Sequence, residues 1–167
     1  MDNLTETKLT SEKIYSGCIL DFYRDTVRLP NGGTAPRELS RHVGAVCIVP
    51  LLDDGRVIVE RQFSYPVNEV ITEIPAGKRD SRDEAPEAAA RRELREETGL
   101  RLTAITHVLP PAACTVGIGD ERTVCVFGTA EGTFRPSTDP MEEIESAWYT
   151  RAQAVSYTHL TLPTILR

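Results

Sequence analysis

Apolar and polar positions alternate through much of the chain, and the alternating runs are separated by clusters of Gly, Pro, Asn and Asp. Period-two runs bounded by turn residues predict strands. Residues 19–29 and 34–41 flank Asn31-Gly32-Gly33, a pattern that predicts a hairpin, and residues 45–52 and 56–63 flank Asp53-Asp54-Gly55 in the same way. In the last of these runs Val57, Val59 and Arg61 alternate with Ile58 and Glu60 only in part, which places the strand near the centre of a sheet. A short strand over 70–74 ends at Pro75, further strands are predicted at 102–109, 122–127 and 144–149, and a loop rich in Pro, Ser and Asp covers 135–140.

One stretch has a different character. Pro86 suits a first helical position and Gly99 the residue just past a helix end, with good helix formers (Glu, Ala, Arg, Leu) between them. Strands around one central helix, with a second helix expected at the end, predict an α/β fold in which helices cover a mixed sheet.

Composition narrows the class. With 167 residues, 40% hydrophobic and 26% charged, the chain is long enough to bury a sizeable core. The longest apolar stretch, 43–52, is roughly half of what a bilayer-spanning helix needs. The start Met1-Asp2-Asn3-Leu4-Thr5 lacks a signal peptide's basic end and apolar middle, so a cytoplasmic location is expected. Cys18, Cys47, Cys114 and Cys125 form no C-x-x-C pair and read as reduced, structural thiols. His42, His107 and His159 have no metal-ligand spacing and read as structural or exposed. A net charge of −6 argues against binding nucleic acid by bulk attraction, but bound cations reverse a local field, so a small anionic ligand stays open.

The candidate chemistry lies on the helix. Glu93, Glu96 and Glu97 are spaced i, i+3 and i+4, so their carboxylates share one face. Each like-charged i,i+4 pair costs a few tenths of a kcal/mol, which is easily offset if the cluster holds a hard divalent cation together with substrate phosphate oxygens. The alternative is a solvated face neutralised by Arg91, Arg92 and Arg95.

The flanks decide between the two. From Gly77 to Leu100 the chain resembles the Nudix box, G-x5-E-x7-R-E-U-x-E-E-x-G-U with U apolar, and it matches at every defined position from Glu84 onward: Arg92, Glu93, Leu94, Glu96, Glu97, Gly99 and Leu100. Six residues separate Gly77 from Glu84 instead of five, and strict spacing would select Asp83; an extra loop residue is the simpler reading, because it leaves the helix register untouched.

The resemblance implies a Nudix α/β/α sandwich and a metal-dependent hydrolase. By it, Glu93 and Glu97 are the principal metal ligands, Glu96 joins them in a site with more than one metal, the Ala76 carbonyl completes the shell, and Glu84 and Arg92 tie the loop to the helix. It extends over roughly residues 8–149 and is closest to the ADP-ribose pyrophosphatases. The residues that carry it are Leu29-Pro30-Asn31-Gly32, His42-Val43-Gly44-Ala45-Val46, Glu60-Arg61-Gln62-Phe63, Tyr65-Pro66, Glu73-Ile74-Pro75-Ala76-Gly77-Lys78 and Gly117-Ile118-Gly119-Asp120-Glu121-Arg122, where Val116 replaces the family's proline.

The implied reaction is hydrolysis of ADP-ribose to AMP and ribose 5-phosphate with Mg²⁺ or Mn²⁺. The implied assembly is a homodimer in which amino-terminal strands (1–42) help build the partner's pocket beside the hydrolase domain (43–154). Arg37 and Arg61 become candidates for phosphate or terminal ribose, Phe63 for stacking near adenine, Glu73 for orienting the ligand, and Glu121 for positioning metal or water. Glu142, with Glu143 second, is the candidate general base, and Glu96 and Glu97 serve catalysis as well as metal. Competing structural roles are surface charge for the arginines, core for Phe63 and a solvated acidic loop for Glu142. Another nucleoside diphosphate derivative (a nucleotide sugar, NADH or an oxidised nucleotide) is the alternative substrate class, and a non-catalytic ligand-binding module the alternative function. Modules of that kind tend to lose the glutamates present here.

Family members continue past Trp148 into a long helix, and 150–154 resembles its first turn. The run from Val155 to Thr164 matches the translation of a common sequencing adapter, so 155–167 is expected to be a non-native tail and the helix truncated.

Overall fold

The computed structural model describes residues 4–17 and 20–158. The elements run β1 (Thr7–Ser16), β2 (Asp21–Arg28), β3 (Thr34–Arg41), β4 (Ala45–Pro50), β5 (Val57–Ser64), β6 (Glu69–Glu73), β7 (Ala76–Lys78), α1 (Pro86–Thr98), β8 (Arg101–Val108), β9 (Ala112–Ala113), β10 (Arg122–Glu131), β11 (Ile144–Tyr149) and α2 (Arg151–Thr158). They divide into two compact units, Met1–Gly44 with Ala112–Thr123, and Ala45–Pro111 with Val124–Arg167.

In the first unit β1, β2 and β3 form an antiparallel meander. The predicted hairpin at Asn31-Gly32-Gly33 is present: Gly32 takes φ +85°, which an L side chain resists, and the Asn31 carboxamide oxygen accepts from the Gly33 amide at 2.9 Å. β1 escaped sequence reading because all ten of its residues are exposed, so no alternation marks it. Polar contacts hold it instead, with the Ser11 hydroxyl donating to Asp25 at 2.5 Å and Lys13 pairing with Asp21 at 2.6 Å.

The second unit holds a sheet in the order β7-β4-β10-β8 and another in the order β11-β5-β6. Strict alternation of buried residues along β4 and β10 turns Val46, Ile48, Val124 and Val126 to one side. There they meet Ala89, Ala90 and Leu94 of α1, together with Ile58, Leu100 and Leu102. Burying each large aliphatic side chain stabilises the fold by about 1.5–3 kcal/mol, so this cluster fixes where α1 lies.

The second expected hairpin is corrected. A tight turn does join β4 to β5, with Gly55 at φ +80°, but the strands share a single bridge, Leu51 with Val57, and belong to different sheets. Consecutive burial of Ile58, Val59 and Glu60 means that both faces of β5 are covered, while β11 and β6 occupy both its edges and leave none for β4. Its central position is as expected. β7, only three residues long after Pro75, has no pattern to read.

α1 begins at Pro86 after an extended Ala85 without a side-chain cap, and ends at Gly99 in the left-handed region (φ +76°), whose amide donates to the Arg95 carbonyl. α2 starts where the final helix was expected and continues through Thr158, so four residues assigned to the tail are helical. Residues 159–167, His159 among them, and Cys18 lie outside the described residues. Among the described residues no helix is long and apolar enough to cross a membrane.

Candidate active site

The apolar stripe that docks α1 carries Glu93 and Glu97 inward, one turn apart, and leaves Glu96 at the rim. Against Glu93 lies Gly77 of β7, where a Cβ atom would overlap the Glu93 carboxylate. Only glycine leaves that carboxylate its place. Gly77→Ala is therefore expected to fold, because the flexible end of Glu93 can give way, but to lose ten- to a hundredfold in activity as the carboxylate shifts; circular dichroism with steady-state kinetics checks this.

Arg92 organises the rim. Its guanidinium donates to Glu84 (3.2 and 3.1 Å), Glu93 (2.8 Å), Glu96 (3.0 Å) and the Lys78 carbonyl (3.1 Å). Glu84 also accepts from the Asp80 amide at 2.7 Å, so Glu84 and not the exposed Asp83 ties loop to helix. The Arg92 bonds hold the Glu84 carboxyl below the usual carboxylate range, and in return Arg92 is raised.

Glu97 has no such partner. Its Oε2 atom is buried without a hydrogen bond, and only 5% of the residue is exposed. Burial first, then the charges of Glu60, Glu93, Glu142 and Glu73, push its carboxyl up to about 9. Glu60 of β5, 1% exposed, is pushed up to about 7 mainly by burial, with the Ser146 hydroxyl at 3.2 Å partly offsetting it. Glu93 is raised by burial against the counter-effect of Arg92. Carboxyls crowded in this way either keep protons, as the raised values show for the metal-free protein, or ionise around a positive charge.

Among the described residues no three carboxylates, imidazoles or thiols form a ready-made ligand set, because Arg92 draws Glu93 and Glu96 to its own side while Glu97 contacts Glu60. The donors nonetheless fit a hard divalent cation: all are carboxylate oxygens, one of them buried and orphaned.

Glu142, in the loop before β11, raises Glu60, Glu93 and Glu97 by its charge and is itself raised by burial, then by Asp139 and Glu96. It also lines a groove of about 540 Å³ with Arg61, Phe63, Val70, Pro140 and Glu143, so it belongs to both the groove and the carboxylate cluster. Glu143 is exposed. Phe63 is 55% exposed, which removes its core reading, and Arg61 is exposed and paired with Glu145 at 3.1 Å. The period of β5 puts Arg61 and Phe63 on the face opposite Glu60 and Gln62. Glu73 is half-buried and accepts from the Gln62 amide at 2.6 Å. Ala76 sits in β7 opposite Cys47.

Arg37 and Glu121 belong to the first unit. Arg37 is exposed and paired with Glu6, and Glu121 is half-buried. His42 is structural, its Nδ1 accepting from the Gly44 amide at 3.1 Å. Cys114 and Cys125 are free thiols.

Sequence reading missed Glu60. Its signal was present, as a charge closing the apolar run Val57-Ile58-Val59.

Residues 41–164 match the NUDIX domain. The chain is 42% identical over 108 residues to the ADP-ribose pyrophosphatase of Bacillus subtilis (strain 168), covering 65% of this chain and 58% of that protein. It is 36% identical over 149 residues to the ADP-ribose pyrophosphatase of Mycobacterium tuberculosis, covering 87% of this chain and 71% of that protein. The chain thus spans less than two thirds of the Bacillus protein's length. In fold it is similar to a solved ADP compounds hydrolase, with a TM-score of 0.75 over 90% of this chain and 81% of the other at 21% identity, which supports the expected α/β sandwich. With the family match covering most of its length and the motif helix placed as described, this chain belongs to the NUDIX domain family.

Proposed function

We propose that this protein hydrolyses the pyrophosphate linkage of ADP-ribose to AMP and ribose 5-phosphate with Mg²⁺ or Mn²⁺ as cofactor. The observation that carries the reading is the buried, partnerless Glu97 carboxylate oxygen, one turn from Glu93 on the motif helix. The names of the relatives in Bacillus subtilis and Mycobacterium tuberculosis supply the substrate.

A bound divalent cation supplies charge neutralisation for the two phosphates and makes water easier to deprotonate. Glu93 and Glu97 hold it, with Glu96 and the Ala76 carbonyl in support, while Arg92 fixes the Glu93 and Glu96 carboxylates and Glu84 fixes Arg92. Glu142 takes the proton of the attacking water, and burial with the charges of Asp139 and Glu96 makes it a stronger base than an ordinary carboxylate. Arg61 and Phe63 offer the groove a cation and an aromatic face for the nucleotide. Arg37, Glu73 and Glu121 are assigned to ligand or water positioning.

Phosphatase-coupled phosphate release over ADP-ribose, nucleotide sugars, NADH and nucleoside triphosphates with Mg²⁺ tests the reading. ADP-ribose is expected to give the highest kcat/KM. A tenfold or greater preference for another compound would replace the substrate assignment, and no turnover of any would remove the enzymatic one.

The proposed assembly is a two-fold homodimer. Exposed Leu9, Ile14, Tyr15 and Phe22 on β1 and β2 support it, since apolar side chains in such number favour a partner surface. Light scattering at micromolar concentrations is expected to give twice the chain mass, and a monomer mass throughout would contradict it.

A further inference from the structure

Register across the sheet β11-β5-β6 sets three polar residues in one lateral row: Ser146 opposite Glu60, and Glu60 opposite Glu73. Residues in such a row share a face of the sheet. Glu60, in the middle, is almost completely buried and in contact with Glu97 of α1.

The donors around this pair are committed elsewhere. The Gln62 amide serves Glu73, Arg61 serves Glu145 on the other face, and Arg92 serves Glu84, Glu93 and Glu96. Ser146 gives Glu60 one bond at 3.2 Å, and in the metal-free protein Glu97 gives it a second through a proton held between the two carboxyls. Among the described residues no Lys, Arg or His forms an ion pair with Glu60 or Glu97, and Glu97 Oε2 keeps no hydrogen bond at all. Two buried carboxyls in contact, without a cation of the chain's own, must keep a proton between them, and even so Glu97 Oε2 stays buried and unbonded, which an apolar pair of the same volume would avoid. A Leu or Met at position 60 would continue the apolar run of β5. A carboxylate there instead points to a charge that arrives from outside.

We propose that Glu60 and Glu97 together bind a divalent cation, which makes Glu60 a metal-binding residue supplied by β5 and not by the motif helix. The inference rests on the reading that α1 holds a divalent cation. Oxygen donors from a rigid strand and a rigid helix suit a hard ion such as Mg²⁺ or Mn²⁺, with the remaining positions left to water and phosphate.

The test is Mn²⁺ binding to the full chain, read by the electron paramagnetic resonance signal of free Mn²⁺ and by the Mn²⁺-induced rise in Tm. Neither readout depends on turnover. Glu60→Gln, which keeps the shape and removes the charge, is expected to weaken one Mn²⁺ site at least tenfold and to shrink the rise in Tm, without lowering the Tm of the metal-free protein. Glu60→Asp, which keeps the charge but retracts it by one methylene, is expected to weaken the same site only a few-fold.

Wild-type Mn²⁺ affinity in folded Glu60→Gln overturns the proposal; if that variant does not fold, wild-type affinity in Glu60→Asp does so. Glu93→Gln separates the two levels of inference. Loss of Mn²⁺ binding in Glu93→Gln alone leaves the proposed active site standing and removes Glu60 from it. Absence of Mn²⁺ binding by the wild type removes both.

Discussion

Glu97→Gln is expected to lower kcat for ADP-ribose about a thousandfold or more, equivalent to about 4 kcal/mol of transition-state stabilisation, while the protein stays folded. The carboxamide has nearly the size of the carboxylate, and the residue sits at the end of a helix anchored by Leu94 and capped by Gly99, so little in the packing changes. What is lost is a charged oxygen donor to the cation.

Stability should move the other way. Without metal, Glu97 is the most strongly raised carboxyl of the cluster, at about 9 against 4.5 in an ordinary environment. A carboxyl whose folded value exceeds its unfolded one contributes stability that is fully present below the unfolded value and is lost as pH rises through the folded one. Metal-free wild-type protein is thus expected to lose stability progressively between about pH 4.5 and pH 9, and Glu97→Gln to flatten that decline. Urea unfolding in chelator at several pH values, beside kinetics at saturating Mg²⁺, reads both effects. A folded variant with near wild-type turnover would refute the assignment of Glu97. Glu84→Gln should cost less activity, since Glu84 touches Arg92 and the loop and no atom of the proposed cation shell.

What the sequence displayed and what it concealed divide along physical lines. α1 was legible to the residue because its ends are chemical: Pro86 has no amide to leave unpaired in the first turn, and Gly99 accepts a backbone conformation that side chains resist. Glu93 and Glu97 were legible because helical spacing converts sequence distance directly into a shared face. β11 was likewise read over its full span, from the alternation of Ile144, Ser146 and Trp148 with Glu145 and Ala147.

Strand partnership was not legible. Asp53-Asp54-Gly55 specifies a reversal of the chain, but pairing between β4 and β5 is decided by which edges are already occupied, and β5 has β6 and β11 on its two sides. The same limit hid Glu60. A single charge inside the strand predicted over 56–63 reads as one polar position of its partial alternation until β11 and β6 are set beside it, and only then do Ser146 and Glu73 become its neighbours. The grouping of Ala112–Thr123 with the amino-terminal strands is also a matter of long-range contact, which no local composition announces. Arg92 carries two readings in the sequence, a tie to Glu84 and a neutraliser of the helix glutamates; that one guanidinium does both at once appears only in three dimensions.

The motif helix also has to be held, and the residue that does most of this is Leu94. It follows Glu93 directly in sequence but belongs to the apolar cluster with Ile48, Ile58, Leu100, Leu102 and Val126, with none of its surface exposed. Leu94→Ala is expected to destabilise the protein by about 2–5 kcal/mol, since truncation of a fully buried leucine loses transfer free energy and leaves a cavity that a helix packed on sheets can close only in part. For a chain of this size each kcal/mol corresponds to roughly 2–4 °C in Tm. The drop should therefore fall at about 4–20 °C, with the urea midpoint moving and the slope of the transition unchanged. Leu94→Met, which keeps the volume, should cost under about 1.5 kcal/mol. Below its own melting range Leu94→Ala should retain most of its Mn²⁺ affinity, because Glu93 stays bound to Arg92 and the Gly99 cap is untouched. A fall in Tm of less than about 2 °C would mean that Leu94 does not anchor α1, and the placement of Glu93 and Glu97 against the sheets would need another cause.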